Sequence, residues 1–110
     1  MQKKFRLLEN RDFKELISNK KFVTNATFTV YFRKNNLNHA RFGLSVGKKH
    51  GNAVVRNKIK RQIRMMIAQV FDYQKSYDYV IMIRANYHQQ SYAKNLNDLI
   101  KLSEKIKKEV

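Results

Sequence analysis

Arg56, Lys60 and Arg64 recur every four residues, with Asn57 and Arg61 beside them, in a stretch that holds no carboxylate. On a helix of 3.6 residues per turn, these five side chains share one arc about 140° wide. Lys48 and Lys49 stand upstream and Lys58 lies within the same run, so residues 48–64 carry seven cations and no acid. Guanidinium and ammonium groups gathered on one surface bind phosphates, and their combined field draws polyanions in. A face meant only for solubility more often alternates Glu with Lys at four-residue spacing. The chemistry on offer is recognition of a polyanion.

The element that must position this set is a helix starting near Asn52 or Ala53 and running to about Phe71. Val55, Ile59, Ile63, Met66 and Val70 fall within an arc of about 80° and form its core-facing stripe. The basic arc borders that stripe, so the cations are expected at the margin of whatever the helix packs against. Upstream, residues 41–46 (RFGLSV) alternate as a strand on Phe42, Leu44 and Val46. The chain's three glycines, Gly43, Gly47 and Gly51, are spaced by four and mark the passage into the helix. The string Gly47-Lys48-Lys49 lacks the spacing and hydroxyl of a nucleotide-binding loop. A turn leading into a helix N-terminus still favours a phosphate.

Elsewhere the elements read plainly. Residues 1–9 form a loose basic arm, with Phe5, Leu7 or Leu8 as docking points. Asn10 is placed to cap a short helix through about Asn19, striped by Phe13, Leu16 and Ile17. Residues 26–33 (ATFTVYFR) alternate strictly, putting Phe28, Val30 and Phe32 on one face and Thr27, Thr29, Tyr31 and Arg33 on the other. A turn at Asn35, Asn36 and Asn38 suggests an antiparallel hairpin with residues 41–46, and residues 21–24 give a weaker strand signal. Residues 78–84 (DYVIMIR) form a nearly continuous apolar run, as an inner strand requires. A last helix over residues 93–110 turns Leu96, Leu99, Ile100 and Ile106 inward. The result is one α+β domain over residues 1–110, an α-β-β-β-α-β-α sandwich on a single sheet.

Composition supports binding and argues against catalysis. The chain has 24 basic and 8 acidic residues, a net charge of +16, and its 43% hydrophobic content is that of a folded domain. It has no cysteine, which excludes disulfides and thiolate metal sites. Without a signal-like or membrane-length apolar run, a soluble cytoplasmic chain is expected. A two-metal nuclease needs clustered carboxylates, whereas the acids are dispersed from Glu9 to Glu109. His39, His50 and His88 show no metal or catalytic spacing, so neither catalytic residues nor a metal site are expected. Tyr31 beside a cationic helix suits single-stranded RNA, whose bases stack on aromatic rings. A structural RNA-binding protein of ribosomal type fits the same composition.

Residues 52–64 (NAVVRNKIKRQIR), after a strand containing Phe42, Gly43, Ser45, Val46, Lys48 and Lys49, resemble the bacterial ribonuclease P protein component. The family pattern N-A-V-x-R-N-x-I-K-R-x-x-R is met throughout, and weaker similarity covers most of the chain. The resemblance implies a four-stranded mixed sheet with a left-handed β-α-β crossover. It implies an accessory subunit of ribonuclease P, in which a separate RNA removes the 5′ leader from precursor tRNA. Partners would be ribonuclease P RNA and precursor tRNA, with no membrane and no obligatory protein partner. Mg²⁺ would belong to the holoenzyme and be held mainly by RNA. By position, Lys48, Lys49, Asn52, Arg56, Asn57, Lys60, Arg61 and Arg64 would contact RNA. Phe13, Ile17, Tyr31 and Arg33 would line a leader cleft. Ile17 stands where the family often has an aromatic, Lys20 where it often has glycine, and no proline follows the last strand.

Overall fold

The computed structural model describes residues 1–7 and 10–109. Leu8, named above as a docking point, lies outside them. The elements are α1 (Asn10–Ser18), β1 (Phe22–Thr24), β2 (Phe28–Lys34), β3 (Arg41–Ser45), α2 (Ala53–Val70), β4 (Tyr77–Ile83) and α3 (Tyr92–Glu109). Short 3-10 turns at Lys3–Phe5, Lys48–His50 and Ala85–Gln89 complete the chain. Asn10 is the first helical residue of α1 and not its cap.

The four strands form one mixed sheet in the order β1-β2-β4-β3. This corrects the hairpin expected between β2 and β3. β4 lies between them, antiparallel to β2 and parallel to β3. The reason lies in β4 itself. Asp78, Tyr79, Val80, Ile81 and Ile83 are all buried, so the strand must be covered on both faces and paired along both edges. The Asn35 turn therefore carries the chain over the end of β4, where the Asn35 amide N–H donates to the Ser76 carbonyl at 2.9 Å.

Strand alternation divides the core in two. On one face Phe28, Val30, Phe32, Phe42, Ile81 and Ile83 pack with Ile59, Ile63, Met66 and Ile67 of α2 and Leu99, Leu102 and Ile106 of α3. On the other face, Leu16 of α1, Leu7 and Val80 form a smaller cluster with Phe13, Tyr31 and Met82. Two positions of the expected stripes are reassigned. Val55 is 40% exposed at the first turn of α2, before the helix reaches the core, and Ile67 is buried in its place further on. In α3, Ile100 faces outward while Leu102 is fully buried.

The N-terminal segment is docked where a loose arm was expected. Arg6 bridges Phe42 in parallel register, and the Leu7 N–H donates to the Phe42 carbonyl at 2.9 Å. The open edge of β3 offers backbone groups that need partners, and this segment supplies them.

Candidate nucleic-acid interface

The sheet face carrying α1 is built in rungs set by strand register. Arg33, Asp78 and Arg41 lie side by side across β2, β4 and β3. The next rung is Phe22, Tyr31, Val80 and Gly43, and the one after is Thr24, Thr29, Met82 and Ser45, each crossing all four strands. Leu16 of α1 is fully buried against the second rung.

The first rung anchors α1 through charge. Arg41 makes a bidentate pair with the buried Asp78, Nε to Oδ1 at 2.9 Å and Nη2 to Oδ2 at 2.8 Å. Arg33 Nε reaches Asp78 Oδ2 at 3.1 Å, and its other nitrogens reach Asp12 and Glu15 on α1. Burial alone would raise the Asp78 carboxyl. Hydrogen bonds from Arg41, Asn35 and Arg33 outweigh it and hold the group below the usual carboxylate range. Arg33 thus lies on the expected face, but three carboxylates engage its guanidinium. That corrects the picture of an open cation, and of acids dispersed without relation. The sequence could not show it, because Arg41 and Asp78 are 37 residues apart.

The third rung lies beyond the rungs that α1 covers through Asp12, Glu15 and Leu16. Thr29, Met82 and Ser45 are half-buried there, and half-buried Tyr31 and Phe13 share a cluster with Met82. Ile17 of α1 is half-buried as well. Phe22, opposite Tyr31, sets its ring 5.3 Å from the Tyr31 ring and is 45% exposed. Phe22, Ser45 and Met82 were not among the site residues expected from sequence. Phe22 belongs to the weakly signalled strand, and the other two become neighbours only through the strand order.

The basic helix meets this face at the edge of β3. Phe13, Gly43, Lys60 and Arg64 line one hollow together with Arg6 and Leu7. Gly43 is required by close approach: a Cβ there would lie 2.7 Å from Phe13 Cε2. At the start of α2, Asn52 caps the helix, its side-chain oxygen accepting from the Val55 N–H at 3.0 Å. Arg56 Nε donates to the Gly51 carbonyl at 3.2 Å, and Gly51 has the positive φ of 135° that favours glycine. Asn57, Arg61, Lys48 and Lys49 are exposed. Among the described residues, no carboxylate pairs with any of the α2 cations.

Two histidines that showed no relation in sequence meet beside this helix. His50 Nδ1 lies 2.9 Å from His88 Nε2, and the rings stack with centroids 5.1 Å apart. Desolvation, then the charges of His88 and Lys49, lower the His50 pKa.

An α+β fold with a half-open, partly aromatic sheet face and unpaired cations along its edge defines a small polyanion-binding protein. The Ribonuclease P family profile matches residues 1–107. The chain is 46% identical over 104 residues to the ribonuclease P protein component of Mesoplasma florum, covering 93% of this chain and 94% of that one. Its structure is similar to the RNase P protein of Staphylococcus aureus, with a TM-score of 0.81 at 32% identity over 94% of this chain and 95% of that one. The RNase P protein from Thermotoga maritima gives 0.78 at 29% identity, over 90% and 96%. The chain belongs to the ribonuclease P protein component family. It is the accessory subunit of a tRNA-processing endoribonuclease whose RNA carries the chemistry.

Proposed function

We propose that the α1-bearing sheet face holds the single-stranded 5′ leader of precursor tRNA while the α2 cations hold RNA phosphates, including those of ribonuclease P RNA. One observation carries this reading. Lys60 and Arg64 share a hollow with Phe13, so cations and an aromatic ring meet where a strand leaving the sheet face would pass. Phe13, Ile17 and Tyr31 provide apolar and aromatic contact. Arg56, Lys60, Arg61 and Arg64 supply charge, with Lys48 and Lys49 at the helix entrance and Asn57 alongside. Asn52 supports this set by capping the helix. Arg33 acts through Asp12 and Glu15 by holding α1 over the sheet.

Protein cations at the RNA backbone offset phosphate repulsion that Mg²⁺ would otherwise have to offset. The Mg²⁺ of the holoenzyme is assigned mainly to the RNA, since Asp12 and Asp78 are turned toward Arg33 and Arg41 and do not fit a metal site. The protein works in the cytoplasm with ribonuclease P RNA and precursor tRNA, and needs no further protein partner. The test is precursor-tRNA cleavage at limiting Mg²⁺ with protein alone, ribonuclease P RNA alone, and both. Efficient cleavage only with both is expected. Cleavage by protein alone contradicts the assignment of chemistry to RNA. Tight RNA binding without enhancement points instead to a structural RNA-binding protein.

A further inference from the structure

We infer that the docked N-terminal segment extends the RNA-binding surface, carrying a phosphodiester backbone from Lys60 and Arg64 over Arg6 to Lys3 and Lys4. The inference rests on the reading above, because it continues the same strand or one beside it. Three anchors hold the segment in place. The Phe5 ring packs 4.5 Å from the Tyr73 ring and 5.7 Å from the His39 ring. Arg6 bridges Phe42 along the edge of β3. Leu7 is 4% exposed, in the cluster with Leu16 and Val80.

The consequence is continuity of charge. Arg6 lines the hollow that contains Phe13, Lys60 and Arg64, and also a second hollow that contains Lys3, Lys4 and His39. It is exposed, with one guanidinium nitrogen donating to the Met1 carbonyl at 3.2 Å. Asp12, which borders the second hollow, is paired with Arg33 and Arg41. Among the described residues, the five cations therefore lie along one edge of the sheet, and Asp12 beside them is already paired. Among the described residues, the aromatic rings that follow Phe13 along this track are engaged with each other, Phe5 packing against both Tyr73 and His39. Recognition there is of phosphate and not of base.

The experiment uses the full chain, reconstituted with ribonuclease P RNA, carrying Lys3→Gln, Lys4→Gln and Arg6→Gln together. Affinities for ribonuclease P RNA and for precursor tRNAs with long and short leaders are measured against salt concentration. Because Phe5 and Leu7 remain, the thermal midpoint should hold. The slope of log K against log salt should fall by about 2, at about 0.7 for each single-strand phosphate no longer neutralised. A fall confined to the long-leader precursor places the leader on the track. A fall in binding ribonuclease P RNA places that RNA there. Keeping a cation at this position, as Arg6→Lys beside Lys3→Gln and Lys4→Gln, should recover part of the slope. If all slopes stay unchanged while Arg64→Gln lowers them, the track is overturned and the α2 surface stands. If Arg64→Gln has no effect either, both readings fall.

Discussion

The Phe13 ring closes over the backbone of Gly43, so that α1 and β3 touch where only a hydrogen side chain fits. This packing joins the helix bordering the sheet face to the edge where Lys60 and Arg64 emerge. Gly43→Ala should displace the ring without unfolding the domain, because the clash is with the far end of one half-buried side chain. A stability loss of about 1–3 kcal/mol is expected for such overpacking. Precursor-tRNA affinity should fall while mature-tRNA affinity holds, as read by competition binding. Equal losses for the two would separate Phe13 from leader recognition.

Asp78 lies between Arg33 and Arg41, and those two arginines also hold Asp12 and Glu15 of α1. Asp78→Asn leaves both guanidinium groups short of their central partner. Breaking a buried pair on one side costs about 3 kcal/mol, and urea denaturation should show a loss of that order. A loss below about 1 kcal/mol would mean that Asp12 and Glu15 compensate.

Lys20 takes the left-handed conformation after α1, with φ of 61°, at the position where glycine is common in the family. A residue with a Cβ is strained in this region, where glycine is not. Lys20→Gly should raise stability by about 1 kcal/mol, since a non-glycine residue is disfavoured by roughly that in this region. An unchanged or lowered denaturation midpoint would show that Lys20 gains a compensating interaction.

The His50–His88 pair predicts a distinct acid response. The folded-state pKa of His50 lies below its ordinary value of 6.5, so the unfolded chain takes up this proton first. The stability tied to neutral His50 is complete above pH 6.5 and is lost as pH falls from there through the lowered folded value. Asp78 and Asp98 also have lowered values, but against a carboxylate reference of 3.8, so their loss comes at much lower pH. Thermal midpoints between about pH 8 and 5 should decline for the wild type and less for His50→Gln. Parallel curves would remove His50 as the source.

The sequence revealed elements formed by local periodicity far better than relations between distant residues. The basic helix was legible because four-residue spacing sets its face whatever lies around it, and Asn52 and Phe71 bound it as expected. The rungs of the sheet face were not legible. They depend on β4 entering between β2 and β3, a choice made by burial of β4 and not by the Asn35 turn. The same holds for His50 and His88, 38 residues apart, and for the docking of Arg6 on Phe42. Val55 and Ile100 misled the helix stripes because periodicity gives a direction, while exposure depends on where the neighbouring element ends.

The most direct test of a leader-binding sheet face compares holoenzyme affinity for precursor and mature tRNA in the wild type, Tyr31→Ala and Phe13→Ala. Base stacking on an aromatic ring is worth about 1–3 kcal/mol. Each variant is therefore expected to lose roughly 5- to 150-fold for precursor and little for mature tRNA. Equal losses on both RNAs, or none on either, would contradict the account.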